Sequence, residues 1–235
     1  MALPEGSKGK VNSAPHVFVY IVESPSAADL LNGVSEGHLI KESLKLAGIN
    51  AVYSLAVDYS SFLKAIYSRL HEVMVELNSI PILHLSAHGD ESGIELTDKR
   101  FINWNELRSL LIPLNKILQG ALILCMSSCS GFQGLKMAMS EGKEDPFMAI
   151  VGNAGTPKWS DTAVAFIAFY HRLFKRASLP DAINAMCIAS GDNGFTVEFA
   201  STAKKEWIRF VEKQRWAHVA KELEKYLKEL SLTKS

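Results

Sequence analysis

Little in this chain leans in one direction. Acidic and basic residues stand at 25 each in 235, so no net field draws the protein to nucleic acid or to an acidic partner. No apolar run approaches the ~20 residues needed to cross a bilayer. The stretch Met1–Ala14, rich in Gly, Ser and Lys, lacks the apolar core of a signal peptide and reads as a disordered arm. Cysteines number three (Cys125, Cys129 and Cys187), an odd count without a disulfide pattern, which fits a reducing cytoplasm. There is no Gly-x-Gly-x-x-Gly phosphate loop, no internal repeat, no low-complexity segment and no domain linker. What remains is an ordinary globular composition, 48% hydrophobic and 21% charged, in a chain long enough to bury a substantial core.

Strand and helix patterns alternate along it. Val17–Val22, Ala51–Val57, Ile82–Ser86, Ala121–Met126, Phe147–Gly152 and Phe195–Phe199 are short apolar runs of the kind buried in parallel sheets. Between them, Ile40/Leu44/Ala47 and Phe62/Ile66/Leu70/Val73/Leu77 recur at helical spacing. Ser24–Gly37 is small and polar, a loop or a weak helix start. Ile94–Leu96 and Phe101–Ile102 flank a polar turn and predict a hairpin. Asn103 or Asn105 is expected to cap a helix through Leu111, and Ser160 or Asp161 a long helix carrying Phe166, Phe169, Tyr170 and Leu173. Residues 15–203 are expected to form one α/β domain: a three-layer sandwich with a mostly parallel sheet of about six strands and helices on both faces. Residues 204–235 are expected to add an amphipathic helix packed on that domain.

Ligand sites in such sheets form at the carboxyl ends of the strands, and two of those ends carry chemistry. One runs Ile82-Leu-His-Leu-Ser-Ala-His88-Gly89, the other Leu124-Cys-Met-Ser-Ser-Cys129-Ser-Gly131. If the two strands are neighbours, His88 and Cys129 emerge at the same edge. A thiol is a poor nucleophile until deprotonated, and an adjacent imidazole can take that proton and later return it to a leaving amine. Small neighbours, Ser127 among them, leave room for a peptide carbonyl. The backbone N–H groups of Gly89 and Cys129 then suit an oxyanion hole, worth about 3 kcal/mol per donor.

Other readings stand beside this one. A lone cysteine or histidine is most often structural. His84, His88, Cys125 and Cys129 form two pairs spaced by four, but four residues of strand span ~13 Å, far beyond zinc bonds of about 2 Å. No metal and no cofactor is therefore expected, and His84 and Cys125 are read as inward-facing core residues. Ser127–Gly131 approaches a nucleophile elbow, yet that arrangement needs its histidine after the nucleophile.

Leu83-His-Leu-Ser-Ala-His-Gly89, Ile94-Glu-Leu96 and Leu124-Cys-Met-Ser-Ser-Cys-Ser-Gly131 resemble the caspase-like clan of cysteine peptidases, within it CHAT domains above all. The resemblance continues through Val151-Gly-Asn-Ala-Gly-Thr-Pro-Lys-Trp-Ser-Asp161 and Phe166–Leu173, covering roughly Val17 to Phe199. It implies a cysteine endopeptidase with His88 as base and Cys129 as nucleophile. It also implies a substrate pocket involving Trp159 and Asp161, the latter receiving a basic side chain as in separases, with Asn153–Trp159 pairing an extended substrate. Asp161 is read equally as a helix cap, and Trp159 equally as core. Caspases carry Gln-Ala-Cys-x-Gly at the nucleophile where this chain has Ser127-Ser-Cys129-Ser-Gly131, and Phe132–Pro146 is short for the linker that caspases cut. The expected partners are a protein substrate and an activating or regulatory protein, with neither nucleic acid nor membrane. A catalytically inactive signalling or scaffold module and an ordinary doubly wound binding domain remain the two other readings.

Overall fold

The computed structural model describes residues 16–232, side chains beyond 222 excepted; the arm expected over Met1–Ala14 lies outside the described residues. Its elements follow in chain order: β1 (Val17–Ser24), α1 (Ala27–Leu31), α2 (Glu36–Leu46), β2 (Ala51–Leu55), α3 (Tyr59–Lys64), α4 (Leu70–Leu77), β3 (Ile80–Asp90), β4 (Gly93–Glu95), β5 (Phe101–Asn103), α5 (Trp104–Ile117), β6 (Ile123–Ser127), β7 (Ala149–Asn153), α6 (Trp159–Phe174), α7 (Leu179–Ser190), β8 (Phe195–Phe199) and α8 (Ala200–Leu232). A π-helical turn, Ala65–Arg69, joins α3 to α4, and a 3-10 helix, Gly131–Ala138, follows β6. The π turn falls where the Tyr20 hydroxyl of β1 donates to the Ala65 carbonyl at 2.9 Å, drawing a carbonyl out of the regular ladder.

The sheet runs β2-β1-β3-β6-β7-β8; every pair is parallel except β7–β8. The antiparallel pair β4–β5 hangs from the carboxyl end of β3, which brings the strands to eight where the sequence suggests about six. Alternate residues serve opposite faces, as strand geometry demands. Phe18, Tyr20 and Val22 of β1 pack with Phe62, Ile66 and Leu70 on one side, together with Leu107 and Leu111 of α5. Val19 and Ile21 pack with Ile40, Leu44, Phe166, Phe169 and Met186 on the other. Helices thus cover both faces in three layers.

Four local expectations need correction. The third strand does not end at Ser86: β3 runs on to Asp90 because β4 supplies antiparallel partners, His88 opposite Glu95 and Gly89 opposite Ile94. α5, capped by Asn103, continues through Pro113 to Ile117, since Leu114 and Leu118 are buried beyond the proline. α6 begins at Trp159 after Lys158, so neither Ser160 nor Asp161 caps it; Asp161 lies inside the first turn. Among its described side chains, α8 packs through its first turns alone. Ala203 is buried and Trp207, Ile208 and Val211 are half-buried, whereas residues 212–222 are all exposed, Trp216 and Val219 included. A 33-residue helix rises about 50 Å, outrunning a domain of this size.

Candidate active site

β3 and β6 are neighbours, and their register stacks matched pairs up the face covered by α2 and α6. Ile82 pairs with Ile123, His84 with Cys125 and Ser86 with Ser127. Two residues beyond the last of these pairs come His88, still on β3, and Cys129, in the turn that follows β6.

The rungs change in character as they rise. At the His84–Cys125 rung both side chains are fully buried, and the His84 Nδ1 lies 2.8 Å from the Tyr170 hydroxyl of α6. Burial pushes the His84 imidazole down to about 3 and the Cys125 thiol up to about 12, so both stay neutral in the protein's working range. These are the core residues that the strand spacing predicts. At the next rung Ser86 and Ser127 are buried too, and both hydroxyls donate to the carboxyl of Glu36 at the start of α2. Ser127 is therefore buried below the open edge, with its hydroxyl engaged by Glu36.

The top rung is open to solvent. The His88 side chain is 41% exposed, and its Nε2 lies 3.0 Å from Asp29 Oδ2. Asp29 belongs to the short helix α1, where it closes a capping box with Ser26. Burial alone would raise the Asp29 carboxyl; hydrogen bonds from Ser26 and His88 outweigh it and hold the carboxyl below its ordinary value. An ionised Asp29 accepts from Nε2–H, which leaves the Nδ1 lone pair as the basic site of the imidazole. The Trp159 indole, half-buried at the start of α6, stacks on the imidazole with centroids 4.9 Å apart and planes at 29°. That contact restrains the ring.

Cys129 follows β6 in a tight turn and is half-buried. The next residue, Ser130, adopts a left-handed φ of 55°, and its N–H donates to the Gly155 carbonyl at 2.7 Å, tying the turn to the loop after β7. The two strand ends are close: a Cβ added at Gly89 would stand 3.6 Å from the Cys129 carbonyl oxygen and 2.7 Å from that of Gly93. Glycine permits this approach.

The remaining sequence candidates divide. Asn153 is buried; its amide nitrogen donates to Asp192 at 2.8 Å and its oxygen accepts from the Gly155 N–H at 2.7 Å, so it shapes the loop from within. Asp161 is half-buried in the first turn of α6, two residues from Trp159, and accepts from Ser160 Oγ at 3.2 Å. Cys187 lies on α7, its thiol near the Phe195 carbonyl. Asp29 and Glu36 are absent from the sequence-based candidates. The Ser26-Ala-Ala-Asp29 capping box was the available signal for the first; nothing in the sequence marks the second. A cavity of about 420 Å³ lined by Asn115, Gln119, Asp145 and Phe147 lies at the amino ends of β6 and β7, away from His88 and Cys129. Among the described residues no group of three or more His, Cys, Asp or Glu is placed to hold a metal ion, and no helix is long and apolar enough to cross a membrane.

No protein-family model and no curated protein matches the chain in sequence. Solved structures do match in fold. A secreted C11 cysteine protease from Bacteroides thetaiotaomicron, iotapain, is 9% identical with a TM-score of 0.53, over 81% of this chain and 68% of that one. The complex of the pro- and mature domains of Porphyromonas gingivalis RgpB is 14% identical with a TM-score of 0.49, over 76% of this chain and 46% of that one. The chain thus spans less than half of the second protein and about two thirds of the first. Its α/β sandwich is the caspase-like fold.

Proposed function

We propose that the protein is a cysteine endopeptidase of the caspase-like clan, with Cys129 as nucleophile, His88 as general base and Asp29 orienting His88. The observation that carries this reading is the Ser86–Ser127 rung of β3 and β6, two residues before His88 and Cys129 respectively, together with the Asp29 contact at Nε2 of the imidazole. In the reaction, Nδ1 of His88 takes the thiol proton as the sulfur attacks the peptide carbonyl carbon. The oxyanion is received by the backbone N–H groups of Gly89 and Cys129. The C–N bond breaks as His88 returns the proton to the amine. Water, deprotonated by His88, then hydrolyses the thioester, releasing the carboxyl product and restoring the thiol.

A CHAT-type domain within that clan is part of this proposal. A specific protein substrate, an activating partner and a cytoplasmic location belong to this proposal, as does a preference for cleavage after Arg or Lys. For the last, Asp161 supplies the carboxylate, a bidentate partner for a guanidinium. The wild-type chain should cleave a peptide library, and Cys129→Ala and His88→Ala should each abolish cleavage while staying folded. The double variant should be no worse than either single one, because the pair acts as a unit. Substantial cleavage by pure Cys129→Ala protein would remove Cys129 from its role.

A further inference from the structure

Beneath His88 and Cys129 lies an ionisable group that this reaction does not use. Glu36, the first residue of α2, is only 4% exposed. Its carboxyl accepts from Ser86 Oγ at 2.7 Å and from Ser127 Oγ at 2.6 and 2.7 Å to its two oxygens. Those serines are register partners on β3 and β6, two residues before His88 and Cys129 respectively. The Thr162 hydroxyl of α6 donates instead to the Lys158 and Trp159 carbonyls. One carboxyl of α2 therefore ties together β3 and β6, the two strands that lead to His88 and Cys129.

The placement is tight. At the next residue, Gly37, an added Cβ would stand 2.8 Å from the Ile21 side chain, so α2 presses its first turn directly onto the sheet. Around Glu36 the ionisable neighbours are Glu23 of β1, whose charge opposes its ionisation, and the Tyr170 hydroxyl of α6. Burying a carboxyl in such a place is unfavourable in itself, and the serine donors on two adjacent strands account for where it points.

We propose that Glu36 is a positioning residue: by accepting from Ser86 and Ser127 together it clamps the carboxyl ends of β3 and β6, and so holds His88 and Cys129 at the separation that proton transfer needs. This rests on the peptidase reading and adds a third layer of support to it, below Asp29 and Trp159. Misplacing reacting groups by a fraction of an ångström is enough to slow a reaction well before the fold is lost.

The test is the rate of Cys129 alkylation by iodoacetamide at neutral pH, mapped by peptide mass spectrometry, with circular dichroism as the check on folding. The chains compared are wild type, Glu36→Ala, Glu36→Gln, Ser127→Ala and His88→Ala. Folded Glu36→Ala and Ser127→Ala should each be alkylated about tenfold more slowly than wild type. Glu36→Gln should stay within about twofold, because an amide still offers a partner to each of two hydroxyls that can turn. On a cleavable peptide the same losses should fall on kcat and leave KM unchanged. If Glu36→Ala does not fold, Ser127→Ala decides alone. A wild-type alkylation rate in folded Ser127→Ala overturns the clamp. If His88→Ala also leaves Cys129 reactivity unchanged, the peptidase reading falls; if His88→Ala slows it and Ser127→Ala does not, only the role of Glu36 falls.

Discussion

Replacing Glu36 by glutamine should make the protein more stable, and only at the higher pH. Burial raises the Glu36 carboxyl from 4.5 to about 7, against the hydrogen bonds from Ser127 and Ser86 that lower it. A carboxyl whose folded value lies above its unfolded one binds its proton more tightly in the native state. Its stabilising contribution is complete below the unfolded value, is lost as pH rises from about 4.5 to about 7, and then stays lost. A shift of about 2.5 units at 1.36 kcal/mol each amounts to about 3 kcal/mol. Glutamine has no proton to lose, so Glu36→Gln escapes this penalty. Any pH-independent difference in packing or hydrogen bonding cancels when the comparison is made at two pH values. Urea unfolding followed by the fluorescence of the four tryptophans, at about pH 4.5 and about pH 8, should show the variant gaining about 3 kcal/mol on wild type between the two. An identical difference at both pH values would refute the reasoning, and so would a variant that loses ground as pH rises.

A peptidyl acyloxymethyl ketone should modify Cys129 and spare Cys125, which is fully buried with its thiol pushed up to about 12, and Cys187, whose thiol burial also raises; mass mapping that finds all three labelled in folded protein would count against the assignment. Asp29→Ala should lower kcat by about one to two orders of magnitude with KM held, because the imidazole loses its orienting partner while Trp159 keeps its stacking; an unchanged kcat on any cleavable peptide would make that contact incidental. Asp161→Ala should erase a preference for Arg or Lys in a positional peptide library, and a basic preference that survives would place the specificity elsewhere. Trp216→Ala should leave the urea stability within about 1 kcal/mol, since residues 212–222 are exposed and the neighbouring Arg215–Glu141 pair is a surface one; a larger loss would contradict the view that this stretch of α8 stands clear of the domain.

Sequence alone was enough for the layered α/β sandwich and for the two strand ends that bear His88 and Cys129. Buried parallel strands write themselves as continuous apolar runs, and a strand that turns from Leu and Ile to Ser, His or Cys announces its open end. It was also enough to read His84 and Cys125 as inward-facing core residues, because rise per residue and alternation of faces are local properties. It could not reveal that β3 outlives Ser86, because the strand is prolonged by a hairpin partner and not by its own residues. Nor could it place Asp29 against His88, 59 residues apart, or Glu36 against Ser127, 91 apart. Periodicity reports which side of an element is buried; it carries no record of which other element covers it. That is decided when β3 and β6 pair side by side and α1 and α2 come to rest over their ends, so the Asp29–His88 contact and the carboxyl shared by Ser86 and Ser127 exist only in the folded chain.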